Sequence, residues 1–376
     1  MTLEVGVLGY RFMGQAHANA MARLPMFFPD APDVERSVLV GRDEEALEAA
    51  ADRLGFDTVA TDWADVVDEV DVFYNLGPNH VHAEPSIAAL EAGTPVFCEK
   101  PLAPTLETAE AMADAAANAG GDVPAGCAFN YRFVPAIQYA KGLLADGELG
   151  EIHHVRGRYL QDWLVDPDAP WSWRNDAEMA GSGALGDLGA HTVDLLRFLV
   201  GDDELAGEME RVSGHLRTFV HERPVEGEDG ETRSVTVDDA YSAQVAFENG
   251  AMGTLEASRF ATGHKNDHAI EIHGSEGSLR FSLERLNELE LLRADENRGY
   301  ETILVTEESD PYVDRWWPPG HVLGWEHTFV HENYEFLRAV AEGTSFEPSF
   351  ADGLAAQRVL AAIAESDERG KWVSLE

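Results

Sequence analysis

LEVGVLGYRFMG, residues 3–14, is an apolar run that stops at a glycine and restarts with helical spacing. Small and apolar residues keep that spacing through YRFMGQAHANAMARL, residues 10–24, so the stretch reads as strand, tight turn, helix. The turn itself is Gly9-Tyr10-Arg11-Phe12-Met13-Gly14. It keeps the outer glycines of G-x-G-x-x-G and puts Arg11 at the middle position. In that fingerprint the middle glycine lets backbone approach a pyrophosphate seated on the helix N-terminus. Arg11 demands a different path, and its guanidinium could itself face phosphate. Alone, the turn also suits an ordinary packed strand–helix junction. Its place at the head of an alternating domain favours dinucleotide binding, with all six residues as candidates.

The alternation continues outward. RSVLVG (36–41) reads as a second strand, followed by a helix from Glu44 to Leu54. DVFYNL (71–76) and GTPVFCEK (93–100) are strand-like, and 81–92 and 105–119 are helical. Strands and helices in this order predict a mostly parallel sheet covered on both faces, a Rossmann-type domain over residues 1–128. Val40-Gly41-Arg42-Asp43 closes the second strand, where cofactor choice is made. Gly41 leaves room, Arg42 could pair with a 2'-phosphate, and Asp43 could take a ribose hydroxyl or cap the next helix. The balance leans to NADP over NAD.

Beyond residue 128 the pattern changes. A helix at 134–145 and a strand at 151–163 precede a helix at 187–199. Alternating runs follow at 210–220, 236–247, 251–260, 267–273 and 278–284. Glu248-Asn249-Gly250 and Gly274-Ser275-Glu276-Gly277 separate several of them, and N-G between alternating runs signals a hairpin. Residues 129–376 are therefore expected to form an α+β domain for substrate binding and oligomerisation, with a large, open, mostly antiparallel sheet. The acidic stretch 222–234 reads as a solvated loop. Helices near 322–342 and 351–365 are expected to brace the first domain.

Composition limits the partners. The 376 residues carry 69 Asp+Glu against 27 Lys+Arg, a formal charge of −42. An apolar content of 44% and eight tryptophans favour a folded protein with an acidic surface over disorder. Molar salt shortens the Debye length to ~3 Å and screens such a surface, which suits a salt-rich cytoplasm of the haloarchaeal kind. The charge argues against nucleic acid as partner. Nothing reads as a leader peptide, and no apolar run approaches the ~20 residues that span a bilayer, so a cytoplasmic protein without membrane contact is expected. Cys98 and Cys127 read as buried free thiols. His153-His154 and the set His321, His327, His331 are poor ligand sets, so no metal is expected.

Two further stretches are distinctive: Glu99-Lys100-Pro101 directly after TPVFC (94–98), and GSGALGDLGAHTVDLLRFL (181–199). With GYRFMGQAH (9–17) and Gly77-Pro78-Asn79-His80-Val81-His82, they resemble the glucose-fructose oxidoreductase/inositol dehydrogenase/MocA family across nearly the whole chain. MFF (26–28), YLQDW (159–163) and SWR (172–174) are similar to its levoglucosan dehydrogenase branch. The resemblance implies hydride exchange between NAD(P) and a sugar or polyol, and dimers or tetramers built by sheet pairing. It also implies a catalytic trio of Lys100, Asp187 and His191.

The residues themselves suit those roles. Lys100 follows a strand at its carboxyl end, where parallel sheets bind ligands, and is one of only four lysines. Asp187 and His191 lie four apart in a helical segment and share a face. A surface charge and a helix hydrogen bond are the plainer readings. In the chemical reading, His191 takes the hydroxyl proton, Asp187 orients it or relays the proton, and Lys100 favours negative charge on the reacting oxygen. Asn75, Gly77, Asn79, His82, Glu99 and Lys100 join the candidates that line a cofactor cleft. Tyr131, Arg132, Gln161, Trp163, Trp173 and Arg174, together with the trio, are candidates for the sugar, whose mixed faces suit rings beside polar groups. Each is as readily read as packing. A cofactor-retaining glycosidase and a dinucleotide-responsive binding protein are the competing functions.

Overall fold

The structure is a computed structural model and describes residues 2–227, 230–296 and 298–375. It divides into two compact units, Met1–Phe133 with Gly324–Ala355, and Val134–Leu323 with Ala356–Glu376.

In the first unit β1 (Thr2–Leu8), α1 (Phe12–Phe27), β2 (Asp33–Val40), α2 (Glu44–Leu54) and β3 (Thr58–Ala60) are followed by β4 (Val72–Asn75), α3 (Ala83–Ala92), β5 (Val96–Cys98), α4 (Leu106–Ala119) and β6 (Ala125–Cys127). The sheet order is β3-β2-β1-β4-β5-β6 and every pairing is parallel. This is a doubly wound sheet whose order reverses between β1 and β4, the place where such folds bind ligands. Leu3, Val5 and Val7 of β1 and Val72, Phe73 and Tyr74 of β4 are buried, as a sheet covered on both faces requires. Asp43 caps α2 by accepting Ala46 N–H at 3.1 Å, and Gly55 ends that helix in the left-handed region.

The second unit starts with α5 (Pro135–Ala145), β7 (Ile152–Leu160), α6 (Ala177–Ala180) and α7 (Ala190–Val200). Strands β8 (Met209–Arg217), β9 (Glu222–Pro224), β10 (Thr232–Ser234), β11 (Ala240–Phe247), β12 (Met252–Ser258), β13 (Asp267–Gly274), β14 (Gly277–Ser282), β15 (Glu288–Arg293) and β16 (Glu301–Leu304) follow. After α8 (Trp325–Glu342) and α9 (Phe350–Arg369), β17 (Val373–Ser374) closes a nine-stranded sheet, β16-β15-β14-β13-β7-β12-β11-β8-β17. Its pairings are antiparallel except β7 with β12. Gly157 on β7 lets α7 come close, since a Cβ there would run into Thr192 Cγ2.

One expectation changes. The 222–234 stretch is not a plain solvated loop: its ends pair as β9 and β10. Arg223 is fully buried, and its Nη1 and Nη2 donate to Asp166 O at 2.9 Å and Leu164 O at 2.8 Å. Carbonyls thus take over the hydration of a buried cation. Glu228 and Asp229 of that stretch lie outside the described residues. The first unit includes the turn Asn130–Phe133, which is tied to α8: Asn130 Nδ2 donates to Thr328 Oγ1 at 2.8 Å, and His331 Nδ1 donates to Phe133 O at 2.9 Å.

Candidate dinucleotide turn and reacting groups

In the first unit the β1–α1 turn can only be built from glycine at its two ends. Gly9 has φ +106°, and a Cβ on it would sit 2.6 Å from Leu76 O. A Cβ on Gly14 would run into the Gly9 carbonyl. The first and third fingerprint glycines are thus explained by close backbone approach. At the middle position Arg11 is the exposed N-cap of α1, with no side-chain cap, so the first N–H groups of that helix have no capping side chain. Tyr10 lies over Gly41, whose Cβ would meet the ring at 2.5 Å. Met13 is half-buried, and exposed Phe12 stacks on Trp325 at 5.5 Å. Arg42 is exposed beside Asp43, which is engaged as the α2 cap.

The neighbouring turn, after β4, is held from inside. Asn75 is fully buried, and its Nδ2 donates to Val81 O at 3.0 Å, His82 O at 2.9 Å and Ser86 Oγ at 3.1 Å. The ring of His82 is also fully buried, with Nε2 3.0 Å from Gly77 O and Nδ1 3.1 Å from Pro101 O. Burial, the larger effect, outweighs these carbonyls and the nearby Glu99 and holds His82 below the usual histidine range. Asn75 and His82 therefore build the turn that carries Gly77 and the largely buried Asn79. Asn75 Nδ2 and the His82 ring thus face into this turn.

Lys100 is half-buried and follows β5, the neighbour of β4, at the carboxyl edge of the sheet. Glu99 before it is 5% exposed: Oε1 lies 3.3 Å from His17 Nε2, and Oε2 accepts Lys100 N–H at 3.1 Å. Both carboxylate oxygens thus serve the fold, not an outward face. Tyr131 and Arg132 are buried; Tyr131 Oη accepts from Trp325 Nε1 at 3.4 Å, and Arg132 Nη2 donates to Asp352 at 3.0 Å. Burial works against the Asp352 charge, but Arg132 and the Ser349 donors prevail and hold its carboxyl below the usual range.

Asp187 and His191 belong to the second unit. The segment is not one regular helix: Leu185–Gly189 is a π-helical turn, and α7 starts only at Ala190. Such wide turns are frequent at functional sites. Buried Asp238 pins the turn by accepting Gly183 N–H at 2.7 Å and Leu185 N–H at 2.8 Å. Asp187 is half-buried and His191 is 7% exposed. The His191 ring lies 6.0 Å from Tyr159 and 6.4 Å from His268. Tyr159 and His268 are partners across β7 and β13, and their rings stack at 4.6 Å. Burial pushes His268 down to about 3, so it is neutral, and its Nε2 lies 3.3 Å from Thr192 Oγ1.

Gln161 is drawn into the same cluster. Its Nε2 and Tyr159 Oη both donate to Asn266 Oδ1, each at 2.7 Å. Half-exposed Trp173 and Arg174 stack with the guanidinium 4.4 Å from the ring, and Trp163 is 45% exposed under Arg259. Tyr159, Asn266 and His268 are not among the sequence candidates, because cross-strand register has no signature in a short motif. Among the described residues no group of three or more His, Cys, Asp or Glu is placed to hold a metal. No described helix is long and apolar enough to cross a membrane.

The residues fit a dinucleotide on structural grounds: two glycines at which a Cβ would strike backbone, an uncapped helix start and a switch point in the sheet. Comparison with known proteins agrees. Residues 3–126 match the oxidoreductase family with an NAD-binding Rossmann fold, and residues 137–280 match the GFO/IDH/MocA C-terminal domain. The chain is 41% identical to levoglucosan dehydrogenase of Pseudarthrobacter phenanthrenivorans, over 99% of this chain and 98% of the relative. It superimposes on levoglucosan dehydrogenase in complex with NADH and levoglucosan with a TM-score of 0.94, covering 100% of both chains at 41% identity. An oxidoreductase domain protein from Kribbella flavida gives 0.95 at 50% identity, again over 100% of both. These sources lend no support to a haloarchaeal origin. The chain belongs to the GFO/IDH/MocA family of NAD-binding oxidoreductases.

Proposed function

We propose that this chain is an NAD(P)-dependent dehydrogenase that oxidises a secondary alcohol of a sugar, anhydrosugar or polyol, with Lys100, Asp187 and His191 as its reacting groups. The observation that carries the proposal is the glycine-only turn at the switch point of a doubly wound sheet, with Lys100 leaving the carboxyl end of a nearby strand. Gly9, the first turn of α1 and Gly41 hold the dinucleotide. A bound nicotinamide supplies the hydride acceptor; the protein supplies position and charge.

Lys100 binds the reacting hydroxyl oxygen and favours the negative charge that develops as its proton leaves. His191 takes that proton, and Asp187 orients the imidazole or passes the proton on. Gln161, held by Asn266, meets the other hydroxyls, and the exposed ring of Trp163 and the Trp173–Arg174 pair offer it flat faces. Levoglucosan, which a structural relative holds in complex with NADH, is the first sugar to test. Exposed Arg42, next to an Asp43 already used as a helix cap, favours NADP over NAD. The working form is a homodimer or homotetramer, and the charge of −42 suits a salt-rich cytoplasm.

Lys100→Met and His191→Ala test the assignment. Each should lower kcat by about a hundredfold or more with cofactor binding retained. Unchanged turnover in either folded variant removes that residue from the mechanism.

A further inference from the structure

Asn333, His17 and Glu99 form a chain of buried hydrogen bonds that reaches the backbone of Lys100, and all four residues lie in the first unit. Asn333 sits on α8, His17 on α1 and Glu99 directly after β5. Asn333 Nδ2 donates to Phe329 O at 2.8 Å and lies 2.9 Å from His17 Nδ1. An amide nitrogen is a donor only, so His17 Nδ1 accepts and the ring proton sits on Nε2. That proton faces Glu99 Oε1 at 3.3 Å, and Glu99 Oε2 accepts Lys100 N–H at 3.1 Å.

The chain is built, not incidental. His17 and Asn333 are fully buried and Glu99 is 5% exposed. The His17 ring is held edge-on by Tyr74, Phe97 and Phe329, with centroids at 5.8, 5.5 and 5.2 Å. A ring clamped this way keeps one orientation, and the carboxylate it serves keeps one rotamer. From the other side the buried His82 ring lies against Pro101, with Nδ1 3.1 Å from its carbonyl oxygen. The peptide that carries Lys100 is therefore packed on both flanks.

We propose that His17 and Asn333 are positioning residues for the reaction: they lock Glu99, and Glu99 fixes the backbone direction from which Lys100 reaches the substrate oxygen. This rests on the role of Lys100 proposed above. A purely structural histidine would act on stability and on binding alike. A positioning chain acts on kcat, because misplacing a reacting group by about 1 Å can cost on the order of a hundredfold in rate.

The test uses steady-state kinetics with the full chain. His17→Phe keeps the ring and its edge contacts but loses the donor to Glu99, and Asn333→Ala frees the tautomer. His17→Phe should lower kcat about tenfold to a hundredfold with both KM values within about twofold, and Asn333→Ala should lower it by less. The double variant should be no worse than His17→Phe, because the chain is already broken. His17→Gln, which restores a donor toward Glu99, should recover most of the rate. In a Lys100→Met background, His17→Phe should add no further loss. Losses that fall on KM, or that multiply between positions 17 and 333, overturn the proposal. Should His17→Phe fail to fold, Asn333→Ala and His17→Gln decide by the same KM-against-kcat split. An inactive Lys100→Met beside a fully active Asn333→Ala sinks the positioning chain and leaves the Lys100 assignment standing; an active Lys100→Met sinks that assignment instead.

Discussion

Gly9→Ala probes the dinucleotide turn at the point where the backbone leaves no slack. A methyl group there would sit 2.6 Å from Leu76 O, 2.9 Å from its carbonyl carbon and 3.2 Å from Gly77 N. All three atoms are backbone, so no rotamer change relieves the overlap, and φ +106° is a conformation that alanine resists. Left-handed strain costs about 1–2 kcal/mol and overpacking about 1–3 kcal/mol, so about 3 kcal/mol in total is expected. For a unit of this size that lowers the melting temperature by roughly 6–12 °C. The strain is shed most easily by parting the β1–α1 turn from the β4 turn, which moves the uncapped start of α1. Fluorescence titration with reduced cofactor, run well below the melting point, should show affinity weaker by about tenfold or more. An alanine variant that melts within about 2 °C of the parent and binds cofactor equally well would refute the reasoning.

Three other outcomes follow from the same structure. Burial holds His268 and His331 at about 3, well below the usual ~6.5 of an unfolded chain, so the unfolded state takes up protons that the folded state refuses. Stability is therefore complete above pH ~6.5 and drains as pH falls toward about 3, by up to ~1.4 kcal/mol per pH unit for each histidine; a urea midpoint that is flat from about pH 7 to 5 contradicts this. With 69 acidic against 27 basic residues, raising KCl from about 0.1 M to about 2 M should raise the melting temperature steadily, and a flat or falling curve would show that self-repulsion is not a major cost. Arg42→Ala should cut kcat/KM with NADP by roughly tenfold to a hundredfold and leave NAD nearly untouched; an unchanged ratio ends the case for a 2'-phosphate contact.

The alternation of strands and helices is legible in the sequence because long amphipathic helices and apolar strands carry their own periods. Thr58–Ala60 and Ala125–Cys127 give no strand signal, since three residues hold no period. The parallel pairing of β7 with β12 is hidden as well: hairpin turns announce antiparallel neighbours, whereas a parallel neighbour is reached by a long crossover that leaves no local signal. At the candidate site, residue type points correctly to a special turn at Gly9 and Gly14. It does not foresee the buried contacts of Asn75 and His82, because a polar side chain after a strand looks the same whether it faces a ligand or a buried carbonyl. Asn333 meets His17 across 316 residues of sequence, a distance over which no motif reaches.

The central claim is net hydride exchange with a sugar, and following absorbance of the reduced cofactor tests it most directly. NAD and NADP would each be paired with levoglucosan, aldoses, inositols and sugar acids in molar KCl, with Lys100→Met alongside. The account predicts steady reduction of one cofactor with one sugar class, abolished in Lys100→Met. Bound cofactor that never turns over, with every sugar left unoxidised or merely hydrolysed, would contradict it.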